Sequence, residues 1–151
     1  IIGGLLAVLG TTEKASEFVR EIPFAARTST LVFDLKVGLL AAIFIYAFFR
    51  FTWSIRQYSF GAILVAAAPD VKQFGDDEPA RVAFADRAGR VMGLAAETFN
   101  DGLRAYYMAF AALAWFFSAW AFIAATAMVL WILYRREFHS EVLVALREGL
   151  D

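Results

Sequence analysis

The chain has 151 residues, 61% hydrophobic and 17% aromatic, with a mean hydropathy of +0.61, and this composition suits a bilayer rather than water. A net charge of -1 and a pI near 5.9 exclude the broad basic field that recruits nucleic acid. Cysteine is absent and His139 is the single histidine, which excludes a disulfide framework, a thiolate metal site and a multi-histidine site.

The expected fold is all-α: one multi-pass membrane domain over 1–151, a transmembrane helical bundle in which two long antiparallel helices extend into the cytoplasm and a transmembrane hairpin follows. The opening "IIGGLLAVLG" runs ten residues before "TTEKASE". Ten residues cover about half of a bilayer core of about 30 Å, so 1–10 reads as the end of a truncated transmembrane helix. A basic start and a small-residue cleavage site are both missing, which argues against a signal peptide. Thr12 is placed to cap a short interfacial helix with Ala15, Phe18, Val19 and Ile22 on one face and Pro23 at its end.

"TST" at 28–30 opens a long helix over 31–68. Its longest uncharged stretch before Arg50, "VGLLAAIFIYAFF", reaches only about 20 Å, so the span has to continue past Arg50, which must snorkel or be paired. "PDVKQFGDDEP" at 69–79 is a turn, and its acidic run reads as a helix cap before Pro79, the first helical position, rather than as a metal site, because three consecutive carboxylates point in different directions.

A second long helix is expected over 80–117. Val82, Ala85, Gly89, Met92, Ala96, Phe99, Leu103 and Tyr106 recur at spacings of three and four and predict its packing seam, with Gly89 and Gly93 as a GxxxG step. Arg81, Asp86, Arg87, Arg90 and Glu97 make much of the remaining surface wet. Counting outward from the 69–79 turn brings Arg50 level with Glu97 to Asp101 and predicts an ion pair with Glu97 or Asp101. The same count sets Gly61 level with Gly89 and predicts a close helix crossing there.

"FNDGLRAYYMAF" places Asn100, Asp101 and Arg104 just before an uncharged run of thirty residues, Ala105 to Tyr134. As one helix that run would be about 45 Å long, too long for one span. Trp115, Phe116, Phe117 and Trp120 sit at its middle, where an aromatic belt would fall if the chain turned, so a hairpin turning near Ser118 is expected, with a transmembrane helix over 120–136. Residues 138–150 read as an amphipathic tail, with His139 a solvated interfacial residue. Lys and Arg number seven between Arg50 and Arg104, three after Tyr134 and four over 11–36, which places the first two regions and the C-terminus in the cytoplasm, across a bacterial inner membrane.

The strings "FTWSIRQYSF", "GLRAYY" and "LYRREF" resemble the membrane protein family called domain of unknown function 599, over Leu35 to Leu146. The resemblance implies a further N-terminal hydrophobic segment and carries no established activity. The chain departs from the family at Asp101, where a basic residue is common, and at Ser118 and Ala119, where a His-Pro turn is common.

No nucleophile elbow, phosphate loop or histidine pair is present, so no enzyme, catalytic residue, cofactor or metal is expected. The candidate polar or lipid-head-group cluster is Arg50, Arg56, Glu97, Asn100, Asp101 and Arg104, and the candidate packing glycines are Gly61, Gly89 and Gly93. Three readings follow: a non-catalytic structural or accessory subunit associating with other membrane subunits or with itself, a transporter or channel component for an anion or small metabolite, and an anionic-lipid-binding protein. The expected partners are the lipid bilayer and membrane subunits, not nucleic acid.

Overall fold

A computed structural model describes residues 1–21, 29–70 and 77–138, and among these the regular elements are all α-helical. In chain order they are α1 (Ile2–Gly10), α2 (Thr12–Glu21), α3 (Thr30–Ala66), α4 (Glu78–Ala114) and α5 (Ala119–Phe138). Two of them, α3 and α5 over Ala119–Glu137, are long and apolar enough to cross a membrane. The ends expected at Ile22 and Pro23, and the expected tail beyond Phe138 with His139, lie outside the described residues.

The caps explain most of the boundaries. Ser29 Oγ accepts the Val32 N–H at 3.4 Å and starts α3, one residue earlier than expected. Pro69 disfavours helical backbone at the residue before it, so α3 stops at Ala66 with two last turn bonds from the Ala67 and Ala68 N–H groups. Asp77 Oδ1 accepts the Ala80 N–H at 3.0 Å, which confirms an acidic cap but places Pro79 second in α4 rather than first. Ser118 Oγ accepts the Ala121 N–H at 3.0 Å and starts α5 after a turn over 115–117, so the expected reversal near Ser118 is present and α4 ends at Ala114 instead of 117.

Thr12 is not a cap. The α1–α2 junction is made by Thr11, whose N–H donates to Val8 O at 3.1 Å and whose carbonyl accepts from Ala15 at 3.1 Å. The Thr12 hydroxyl lies 2.8 Å from Leu9 O and 2.7 Å from Asp34 Oδ1, and shares its single proton between them. On the expected α2 face Ala15 and Val19 are half-buried, whereas Phe18 is exposed and the neighbouring Ser16 is buried instead, with its hydroxyl satisfied by Glu13 O at 2.9 Å.

The chain, read from sequence as one domain, divides into two compact units. The first takes Ile1–Ile45 and the described residues from Arg104 onward. Its core is Leu40, Ala109 and Ala112, with Leu5, Ile43, Phe44 and Phe116 packed on it. The second is Tyr46–Leu103, the distal half of α3 and the proximal half of α4. Its buried positions are small: Ala47, Ser54 and Gly61 on α3, and Ala88, Ala95, Thr98 and Gly102 on α4.

This stripe corrects the expected α4 seam. Val82, Ala85, Gly89, Met92 and Phe99 are exposed, whereas Ala88, Ala95 and Gly102 face inward at the same heptad spacing, one residue out of phase. The reason is volume. A periodicity search gives weight to Met92, Phe99 and Tyr106, but two helix backbones approach most closely where side chains are smallest, so the large residues lie at the flanks of the seam, Met92 against Gly61, Phe99 against Phe51 and Tyr106 against Phe44.

Gly61 and Gly102 show where the approach is tight. A Cβ at position 61 would collide with Met92 Sδ, and one at 102 would lie 2.8 Å from Phe51 Cε1. A Cβ added at Gly89 or Gly93 would meet nothing within 4 Å, so the expected Gly61–Gly89 crossing is instead a Gly61–Met92 contact.

Candidate functional site

In the second unit α3 and α4 present polar side chains to one another at two levels. Arg50 Nη2 donates to Asp101 Oδ2, forming the predicted ion pair with Asp101 rather than with Glu97. The two side chains are 31% and 27% exposed, deep enough for an unpaired guanidinium to be costly. One turn further along α3, the buried Ser54 hydroxyl donates to the Ala95 carbonyl at 2.8 Å. Between these points Phe51 packs over Gly102 and stacks edge-on against Phe99 with centroids 5.2 Å apart. Arg50 Nε and Gln57 Oε1 are buried with no hydrogen-bond partner among the described residues.

Arg56 is exposed, its guanidinium 5.6 Å from the Phe60 ring, and Glu97 and Asn100 are exposed on α4. Arg104 belongs to the first unit, where Nη2 donates to both carboxylate oxygens of Glu137 at 2.8 and 2.7 Å. Arg136 reaches the Tyr107 hydroxyl at 3.3 Å beside it. At the start of α4 Glu78 accepts from Arg81, and that hydrogen bond, with the adjacent charge, raises the Arg81 pKa above its ordinary value. Among the described residues no group of three or more acidic or histidine side chains could hold a metal ion.

The strings that carry the family resemblance fall on these contacts: "FTWSIRQYSF" holds Phe51, Ser54 and Gln57, while "GLRAYY" and "LYRREF" meet through Arg104 with Glu137 and Tyr107 with Arg136. A family model described as protein of unknown function, DUF599, matches residues 1–142. The chain belongs to the DUF599 family. No curated protein and no solved structure matches it.

Among the described residues of this DUF599 chain, the most enclosed charged group is one that sequence reasoning passed over. Lys36 is 3% exposed, and its Nζ donates to the Trp115 carbonyl at 2.8 Å, just past the end of α4. The ammonium also lies 5.2 Å from the Trp115 ring centroid and 5.6 Å from that of Phe116. The aromatic cluster at the middle of the thirty-residue run is therefore divided: Trp115 and Phe116 turn inward on Lys36 and Phe33, while Trp120 is 82% exposed. The available signal was the position of Lys36 inside α3, at the edge of an apolar segment, where a charge needs a partner.

Proposed function

We propose that this DUF599 protein is a multi-pass integral protein of the bacterial cytoplasmic membrane that acts without catalysis, as a structural or accessory subunit packed against other membrane proteins or a second copy of itself. One observation carries the reading. On the distal half of α3, Phe48, Phe49, Trp53, Ile55, Phe60 and Ile63 are exposed, while Ala47, Ser54 and Gly61 are buried. In water each exposed ring or branched chain forgoes about 1.5 to 3 kcal/mol of burial. In lipid or against another helix the same distribution is ordinary, because small residues bring backbones together and large ones fill the surroundings.

The Lys and Arg count supports residues 60–100 and 136–151 on the cytoplasmic side, with Ser118 opposite. Cysteines introduced at Gly75, Ser118 and Ser140 would test it: an impermeant thiol reagent on intact cells should label position 118 and spare the other two, and the reverse pattern would invert the topology.

A second reading, anionic lipid head groups, is favoured by the arginines that lack a carboxylate. Arg56, Arg87 and Arg90 have no ion-pair partner among the described residues, whereas Arg50 and Arg104 are neutralised. The same neutralisation leaves Arg56 as the one arginine without a carboxylate among Arg50, Arg56 and Arg104, the three on which the transport reading rests. Native mass spectrometry of gently extracted protein separates these proposals. Stoichiometric protein partners are expected; retained anionic lipid without protein would favour head-group binding, and neither would overturn both.

A further inference from the structure

The first two turns of α3 hold two other parts of the first unit at once. Asp34 accepts from Thr12 at the α1–α2 junction at 2.7 Å. Phe33 meets Phe116 edge-on, with centroids 5.7 Å apart and planes at 87°, and Lys36 donates to the Trp115 carbonyl. We propose that Phe33, Asp34 and Lys36 form a clasp in which the Lys36 ammonium caps the C-terminal end of α4 from a different helix and holds the α4–α5 turn closed.

The backbone accounting supports an external cap. The last carbonyls of a helix lack intrahelical donors and need partners from elsewhere. Here the carbonyls of Ala112, Leu113 and Ala114 accept from the N–H groups of Trp115, Phe116 and both Phe117 and Ser118, at 3.1 to 3.3 Å. The Trp115 carbonyl is the next acceptor along the turn, and the Lys36 Nζ supplies its donor at 2.8 Å.

A cation suits that place for a second reason: the C-terminal end of a helix carries the negative pole of its dipole. The charge is balanced there without a carboxylate. Asp34, the acidic residue nearest in sequence, is turned to Thr12, and the faces of Trp115 and Phe116 lie within cation–π range of the ammonium. Phe33, one helical turn before Lys36, fixes the Phe116 ring in that position.

Charge and side-chain length can be separated by substitution. In the full chain carrying Trp53→Phe, Trp120→Phe and Trp131→Phe, Trp115 is the one tryptophan left, and acrylamide quenching reports how closed the turn is. Lys36→Met keeps the length and removes the charge, and should raise the quenching constant several-fold; Lys36→Arg keeps the charge and should raise it less than twofold. Equal quenching of the Lys36→Met variant and its parent would overturn the proposal.

A second measurement does not depend on that variant folding. With Lys14→Arg and Lys72→Arg, Lys36 is the sole lysine, and its ε-methylene protons should be shifted upfield by the two rings, with part of the shift lost in Phe116→Leu. Resonances at the position of a solvent-exposed lysine would overturn the clasp.

Discussion

The two units bury different side chains, although both turn large apolar ones outward. In the first, Leu40 is buried with Phe44 and Phe116 packed beside it, and a lysine is enclosed by two rings and a carbonyl. In the second, the interior is alanine, serine and glycine, pinned by Ser54 and by Arg50 with Asp101, while phenylalanine, tryptophan and isoleucine point away from it. Phe110, Trp120 and Trp131 are exposed in the first unit as Phe49, Trp53 and Ile63 are in the second. A unit that turns them outward depends on what surrounds it, because apolar transfer is worth about 25 cal/mol per Å² only when the area leaves water. The stability of both units should therefore follow their environment, the second more strongly because its buried positions among the described residues are all small.

The largest expected effect is at the ion pair. Asp101→Leu removes the carboxylate that accepts from Arg50, whose Nε already lacks a partner among the described residues. Thermal unfolding in detergent should show a loss of about 2.5 kcal/mol or more, the cost of an unpaired arginine at membrane depth. Arg50→Met together with Asp101→Leu should recover most of it, since a matched apolar pair avoids the desolvated charge. A double variant as unstable as the single one would mean that Asp101 acts through something other than Arg50.

Next come the glycines, which distinguish the closed side of the second unit from its open side. Gly61→Leu has to displace Met92 and should cost about 1 to 3 kcal/mol. Gly89→Ala meets nothing and should gain about 0.8 to 1 kcal/mol from helix propensity, by the same unfolding measurement. If Gly89→Ala instead lowers stability in lipid nanodiscs but not in detergent, that face packs against a second protein.

These glycines also show what could be read from sequence and what could not. The helices, the start signal at 28–30, the acidic cap before α4, the turn near Ser118 and the Arg50–Asp101 pair follow from local chemistry and from counting along an antiparallel hairpin. The α4 seam came out one residue out of phase because a heptad of Ala and Gly at 88, 95 and 102 carries little hydrophobic weight beside the louder Met92 and Phe99. Lys36 escaped notice because its partner is a backbone carbonyl, an acceptor that every residue has and no side-chain pattern reveals. The Arg104 contact with Glu137 joins residues 33 apart through a turn whose exact length the sequence leaves open.

A smaller effect belongs to Ser54, whose bond to the Ala95 carbonyl joins two neutral groups. Ser54→Ala removes the donor, fits the same small space and should cost about 0.5 to 1.5 kcal/mol. Ser54→Val should cost more, because the position is fully buried between helix backbones. If valine is tolerated as well as alanine, the two helices are not tightly apposed at this level.

The smallest expected effect concerns the polar contact of the first unit. Arg104 and Glu137 are 43% and 51% exposed, so Glu137→Gln should cost no more than about 1 kcal/mol, and less as salt is added. The Arg50–Asp101 pair, nearer to burial, should respond weakly to the same salt because its surroundings screen it less. Unfolding of both single variants and their parent in low and high salt compares the two units directly. A strong salt response at Arg104–Glu137 with little at Arg50–Asp101 places only the former in contact with bulk water. Equal responses would mean that the second unit's ion pair is hydrated too, and the outward-facing apolar residues around it would then have to be covered by something other than lipid.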